Sequence, residues 1–353
     1  MVPREVVQRV LEAGIRAPSG ENSQPWRFQI EEDRVWLFNY PEADQSLFNF
    51  HQNGSYVAHG ALLENVKIAA GKLGYELKIV LFPDQNKENL VATIDFSGTA
   101  SKNEPLFEAI EKRITNRKHY DASPLHENEK KGLLENNNSS VRLILIDDRE
   151  KIATLARAAS VSETMLVLNK QIHDFFFSHV RWTPEENEKQ PNGFFVDSLE
   201  LNPQQAKGFK LLRSWGRARI LAKLGVAKAI GRDNATTYAT ASAMLAIVIK
   251  DPMPYNLVLA GQVLEHAWLT ATKLGLCAQP STGVLFLAEG VPHENWANFS
   301  EKQRETLLGA KTEIYQTLGV DHHKEHVAVI LRVGRSEPPS AQAARFPMKN
   351  FLI

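Results

Sequence analysis

The chain of 353 residues has a single cysteine, Cys277, so no disulfide can close within it, and a reducing compartment is expected. It has no charge excess: 41 Lys and Arg stand against 41 Asp and Glu, which excludes a general nucleic-acid binder. It has no long apolar run either. The stretch 242–249, among the most apolar, is far too short to span a bilayer, so no membrane partner is expected. Met1-Val2-Pro3-Arg4-Glu5 lacks the apolar core of a signal peptide, and the expected location is the cytoplasm. Nucleophile-elbow, P-loop and Gly-x-Gly-x-x-Gly patterns are missing. His322, His323 and His326 read as a polar loop ahead of an apolar strand at 327–333, and no metal is expected. Cys277, between Leu276 and Ala278, reads as a buried core thiol.

The most informative stretch is Ala17-Pro18-Ser19-Gly20-Glu21-Asn22-Ser23-Gln24-Pro25-Trp26. Ahead of it, Val6, Val7, Val10 and Leu11 fall on one face of a helix that Pro3 suits as a start. After it, residues 27–30 and 35–38 read as a hairpin about a polar turn at 31–34. The stretch is therefore a loop between helix and strand, stiffened by Pro18, Gly20 and Pro25. The amide of Asn22 offers a donor and an acceptor on one planar group, suited to a flat heterocycle.

The chain also repeats itself. Residues 60–75 recur 201 positions later as 261–276, with matches at 60/261, 63/264, 64/265, 70/271, 72/273, 73/274 and 74/275. Both copies space apolar residues as a helix does and end in Lys-Leu-Gly, a basic last turn with a glycine cap. Two copies indicate a duplicated domain rather than a solenoid.

The loop and the repeated helix resemble the flavin-contacting parts of the nitroreductase (FMN-dependent oxidoreductase) family. The resemblance implies an α+β fold in which each flavin lies at the interface of two subunits. Here the family's parts are split between the halves. Pro18, Ser19, Gly20 and Asn22 match the ring-lining loop in the first half. Arg113-Ile114-Thr115-Asn116-Arg117, the turn Pro280-Ser281-Thr282-Gly283 and the closing Arg345-Phe346-Pro347 match the complementary parts in the second. The second-half counterpart of the loop is expected near 158–162. The pattern is similar to the fused, Acg-like branch: halves at 1–103 and 104–353, one composite FMN site, and a monomer that mimics the family's dimer, with a further homodimer left open.

The resemblance assigns roles. Arg113 and Arg345 match phosphate ligands, suited by a bidentate, permanently charged fork. Thr115 serves the phosphate or ribityl end, and Arg117 is the cation beside the ring, where negative charge gathers on reduction. Asn22 meets the pyrimidine edge, and backbone N–H groups around 281–283 face N5 or its neighbouring carbonyl. No side chain is expected to be catalytic beyond the flavin. NADH or NADPH is the expected donor, with a small nitroaromatic or quinone as acceptor. The alternative is a flavin-sequestering protein with a closed lid. Ala343 stands where the family often has a second basic residue.

A long insert at 183–240 is the expected lid. Its later part, 209–232, carries Lys210, Arg213, Arg217, Arg219, Lys223, Lys228 and Arg232 with no acid. The plain expectation is a solvated helical face with Leu211, Leu212, Ile220, Leu221 and Leu224 packed inward. Attraction of an anionic substrate and docking on a membrane surface are the other readings.

Overall fold

Two antiparallel four-stranded sheets use one strand order twice. The computed structural model describes residues 2–98, 103–135, 138–293 and 298–353. The first sheet comprises β1 (Trp26–Glu31), β2 (Arg34–Asn39), β3 (Glu76–Leu81) and β4 (Leu90–Ser97), ordered β1-β2-β4-β3. In the second half come β5 (Arg142–Ile146), a short parallel pair β6 (Val180–Arg181) and β7 (Phe194–Phe195), then β8 (Ala243–Ile249), β9 (Cys277–Pro280) and β10 (His326–Gly334). The second sheet is ordered β5-β8-β10-β9, and every neighbouring pair in both sheets is antiparallel. Replacing β1, β2, β4 and β3 by β5, β8, β10 and β9 converts one sheet into the other.

The helices follow the same correspondence. α1 (Arg4–Gly14) precedes β1, and α2 (Asn53–Lys72) joins β2 to β3. After α3 (Phe107–Lys112), α4 (Glu127–Leu134) precedes β5 as α1 precedes β1. The counterpart of the α1–β1 loop is therefore the connection at 135–141, not 158–162; residues 136 and 137 lie outside the described set. β1 and β2 form a tight hairpin, whereas β5 and β8 are joined by residues 147–242. That connection folds as α5 (Arg149–Ala159), α6 (Val161–Leu168), α7 (Lys170–Ser178), α8 (Pro184–Lys189), α9 (Pro203–Leu212), α10 (Trp215–Lys223) and α11 (Val226–Ala239), and the expected insert is its later part. α12 (Pro254–Lys273) joins β8 to β9 as α2 joins β2 to β3, and α13 (Gly283–Gly290) and α14 (Glu301–Leu318) complete the α-helices among the described residues.

Packing explains the composition of these elements. β8 and β10 are buried along their whole length, which is why they read as continuous apolar runs rather than alternating ones. Both long helices are buried nearly all round and stop at a left-handed glycine, Gly74 (φ +85) and Gly275 (φ +75). They pack on each other between the sheets. The C-terminal segment returns to the first sheet: Leu352 bridges Phe28 in parallel, and Met348 and Phe351 enter the core beside Trp26. Cys277 is half-buried at the head of β9, where its Sγ takes an N–H from Asn116 Nδ2 at 3.1 Å and donates to Ser336 O at 3.6 Å. It is thus a polar contact, not the core thiol expected. His326 begins β10 and is buried, with His322 and His323 in the turn before it.

Candidate functional site

The loop after α1 is held in an uncommon backbone. Glu21, Asn22 and Gln24 all take positive φ (44, 54 and 55), at a cost of about 1–3 kcal/mol each that surrounding contacts must offset. Those contacts come from distant chain. Asn22 Nδ2 donates to Ala344 O at 2.8 Å and to Pro191 O at 3.4 Å. Gln24 Nε2 donates to Pro191 O at 2.6 Å, and its Oε1 accepts from Phe346 N at 3.0 Å. Gly193 N donates to Glu21 O at 2.8 Å. The Asn22 amide is thus engaged with the C-terminal segment and the insert. Ser19 Oγ caps the turn internally by accepting from Gln24 N at 3.0 Å.

Three arginines converge where α1 ends. Arg345 Nη1 donates to Ile15 O (2.9 Å) and Ala17 O (2.6 Å), and Arg113 Nη2 donates to Arg16 O (2.6 Å). Helix-end carbonyls are natural acceptors for cations. Arg113 Nε lies 3.0 Å from Glu265 Oε1, both side chains being buried, and its guanidinium stacks 4.6 Å above the Trp268 ring. Arg16 pairs with the exposed Glu111 at 3.3 Å. Burial, then repulsion from Arg113 and Arg16, pushes the Arg345 guanidinium down to about 9. Burial lowers Arg113 as well, against the pull of Glu265. Arg113 thus has the buried Glu265 as its partner and Arg16 the exposed Glu111, while Arg345 is held by backbone carbonyls. Arg16 was missed from sequence; its place directly before Ala17-Pro18 was the available signal.

Thr115 and Arg117 belong to the same strand-like segment. Thr115 bridges Ala278 of β9 in parallel, and Asn116 N donates to Ala278 O at 3.0 Å, which brings the segment beside Pro280. Arg117 Nη1 donates to Ser198 O of the insert at 3.1 Å and lies 5.9 Å from the Phe194 ring. Burial, with Arg332 adding repulsion, lowers its pKa. Arg332, fully buried on β10, organises this region: Nε donates to Gln279 Oε1 (2.8 Å), Nη1 to Thr237 O (2.9 Å), and Nη2 to Lys118 O (2.9 Å) and Asn116 O (3.1 Å). Sequence reading missed it, although a lone arginine in the apolar strand before Gly334 was a signal.

The Pro280–Gly283 turn packs too closely for a larger residue. A Cβ on Gly283 would lie 2.8 Å from Ser162 Oγ and 3.4 Å from the Phe48 ring. Ser281 N donates to Ile330 O at 2.7 Å, while Ser281 Oγ is buried without a partner. Ser162 Oγ donates to Glu163 Oε2 (2.8 Å), and Tyr238 Oη donates to Glu163 Oε1 (2.7 Å). Burial holds the Glu163 carboxyl above its ordinary range. Segment 44–48 links this turn to the first loop: Phe48 reaches Gly283, and Asp44 Oδ2 would lie 3.2 Å from a Cβ on Gly20. Beside it the Glu21 carboxyl, with Oε2 buried and unpartnered, is pushed well above the usual range by burial and then by Asp44.

The structure thus gathers the predicted residues into two neighbouring groups. Pro18, Ser19, Gly20, Asn22, Arg113 and Arg345 form one; Thr115, Arg117 and Pro280, Ser281, Thr282 and Gly283 form the other. The parts of the insert nearest them are 187–200 and the end of α11, not α9 or α10: Asn187 Oδ1 accepts from Ala344 N at 3.0 Å, Glu200 Oε2 accepts from Ser340 Oγ at 2.7 Å, and Thr237 O accepts from Arg332. Cavities of about 300 Å³ beside His326 and about 410 Å³ beside β3 include none of the predicted residues.

No family model matches the sequence. A Mycobacterium tuberculosis protein carrying the name NAD(P)H nitroreductase acg is 26% identical over 287 residues, covering 78% of this chain and 80% of that protein. The uncharacterized protein MT1398 of the same organism is 26% identical over 349 residues, 97% of this chain; the chain spans 47% of that relative's length. Among solved structures, the FMN and NADPH-dependent nitroreductase NfnB from Sphigopyxis sp. strain HMH is 14% identical with a TM-score of 0.39, over 69% of this chain and 96% of that one.

Proposed function

The chain belongs to the nitroreductase superfamily, on its Acg-like branch, and from that premise we propose that it is an FMN-dependent oxidoreductase with one composite flavin site. It passes electrons from NADH or NADPH to a small electron-poor acceptor of nitroaromatic or quinone type. The observation that carries the reading is the cation excess at the end of α1. Arg16, Arg113 and Arg345 gather there against two carboxylates, the buried Glu265 and the exposed Glu111, and the remaining positive charge fits a phosphate dianion. The unpartnered Ser281 hydroxyl supplies a further polar group of the right kind. The repeated sheet order supports a chain whose halves, 1–103 and 104–353, together imitate a dimer.

FMN, when bound, supplies a reversible two-electron hydride acceptor. The chain's own residues do the rest. Arg113 and Arg345 hold the phosphate, with Arg16 beside them, and Thr115 offers its hydroxyl next to that end. Arg117 places a fixed cation where negative charge accumulates on reduction, and Arg332 positions the segment that carries it. The Pro280–Gly283 turn gives close backbone approach because Gly283 lacks a Cβ. Near that turn burial raises the Glu163 carboxyl, while the hydrogen bonds donated by Tyr238 and Ser162 oppose the rise.

A flavin-holding protein with little turnover is the second reading. It is favoured by the contacts that tie Pro191, Gly193 and Ala344 to the Asn22 loop. Flavin released per chain, followed by NAD(P)H oxidation with menadione or a nitroaromatic, tests both. One FMN per chain with steady turnover is the expected result. One FMN without turnover selects the holding protein, and no FMN from folded protein supplied with excess overturns both.

A further inference from the structure

The basic helices of the insert do not bury the residues that their apolar spacing predicts. Leu212 is buried and Leu221 partly so, but Leu211, Ile220 and Leu224 are exposed at 50%, 60% and 75%. The inward face of α10 is already supplied by Trp215, Ala218, Leu221 and Ala222, which pack with Phe176, Phe209 and neighbours in a small separate core. The outward face repeats at helical spacing: Arg217, Ile220 and Leu224 stand three and four residues apart, with Lys223 beside them. Arg217 and Lys223 are exposed, as are Lys210, Arg213, Arg219, Lys228 and Arg232 nearby. Residues 209–232 contain no acid, whereas the whole chain is neutral.

We infer that the face formed by α9 and α10 docks on an anionic lipid surface, with Leu211, Ile220 and Leu224 entering the headgroup boundary and the surrounding Arg and Lys meeting lipid phosphates. Exposed leucine and isoleucine set among cations are what such a boundary accommodates. A nucleic acid would use the cations and leave the apolar side chains without a partner. A second copy docking through the same face would set its seven cations against seven more, a juxtaposition that like charges oppose. The contact is peripheral, since among the described residues no helix is long and apolar enough to cross a membrane. Because the contacts of the insert with the Asn22 loop and Arg117 come from 187–200 and the end of α11, the surface of α9 and α10 is free to act separately from that site.

The test is flotation of the full chain with phosphatidylcholine vesicles, with and without phosphatidylglycerol, at low and high salt. Three forms are compared: wild type, Ile220→Ser with Leu224→Ser, and Arg213→Ser with Arg217→Ser and Lys223→Ser. All five positions are exposed, so the fold should hold; thermal unfolding checks it. The expected result is salt-sensitive binding to phosphatidylglycerol vesicles alone, weakened about tenfold or more in both variants. Absence of binding to phosphatidylglycerol vesicles at low salt overturns the inference, as does equal binding to pure phosphatidylcholine. Loss only in the charge variant, with equal retention on heparin or RNA, also overturns it and marks the face as a general polyanion site.

Discussion

Gly60 and Gly261 meet where the two long helices cross. A Cβ on Gly60 would lie 2.0 Å from Val258 O, and a Cβ on Gly261 would lie 2.0 Å from Val57 O. The two glycines occupy matching places in the sequence repeat, so one close approach is specified twice. The obstructing atoms are backbone, which cannot rotate aside, so either Gly→Ala change must push the helices apart. Each is expected to destabilise the fold by about 1–3 kcal/mol or more. Denaturant unfolding of Gly60→Ala and Gly261→Ala measures this, and an unchanged midpoint in both would contradict the packing described.

Arg113, which is buried, and Arg345, which is half-buried, separate folding from binding. Arg345 donates only to helix-end carbonyls, while Arg113 balances Glu265. Arg345→Ala is expected to weaken FMN binding about ten- to hundredfold, the worth of a charge-assisted bond, with little loss of stability. Arg113→Ala leaves Glu265 buried and unpaired, costing about 3–5 kcal/mol of stability. Flavin titration alongside thermal unfolding distinguishes them, and equal effects of both changes on both readouts would refute the division.

Burial, and then Asp44, raise the Glu21 carboxyl well above the usual carboxylate range, so folding favours its protonated form. Its folded pKa is raised, so above the ordinary carboxylate range the folded state binds more protons and stability falls as pH rises toward that folded value. Glu21→Gln mimics the protonated form without that dependence. It is expected to match wild type near pH 4 and to gain stability by about 1.4 kcal/mol per pH unit above the unfolded pKa until the folded pKa is reached. A constant difference between the two proteins from pH 4 to 8 would rule out a buried neutral Glu21.

His59 acts with the opposite sign. Burial lowers its ring from 6.5 to about 3, and its Nε2 lies 3.0 Å from Asn39 Oδ1. The unfolded chain takes up a proton near 6.5 and the folded chain does not, so the contribution is complete above 6.5 and is lost as pH falls toward 3. His59→Gln is expected to remove a slope of about 1.4 kcal/mol per pH unit between pH 6 and 4. Urea unfolding at several pH values checks it, and parallel slopes for the two proteins would show that His59 protonates in the folded state.

Much of this was legible in the sequence because it is local. Val7, Val10 and Leu11 with Pro3 gave α1, a polar turn between two short runs gave the β1–β2 hairpin, and Lys-Leu-Gly marked the ends of both long helices. The repeat showed that α2 and α12 correspond. The second copy of the loop could not be placed by spacing, because seven helices between β5 and β8 displaced every distance along the chain.

The sequence by itself determined the element types, the repeated helix and the residue kinds able to hold a flavin phosphate, since periodicity, capping and charge act over a few residues. Only the tertiary structure decided that Arg16 joins Arg113 and Arg345, and that Arg332 braces Arg117. It alone turned Asn22 toward Ala344 and left Ile220 and Leu224 facing outward. Each of these depends on which of two chemically acceptable faces or partners is already taken by another part of the chain. That competition is settled by packing across hundreds of residues, where local preference has no reach.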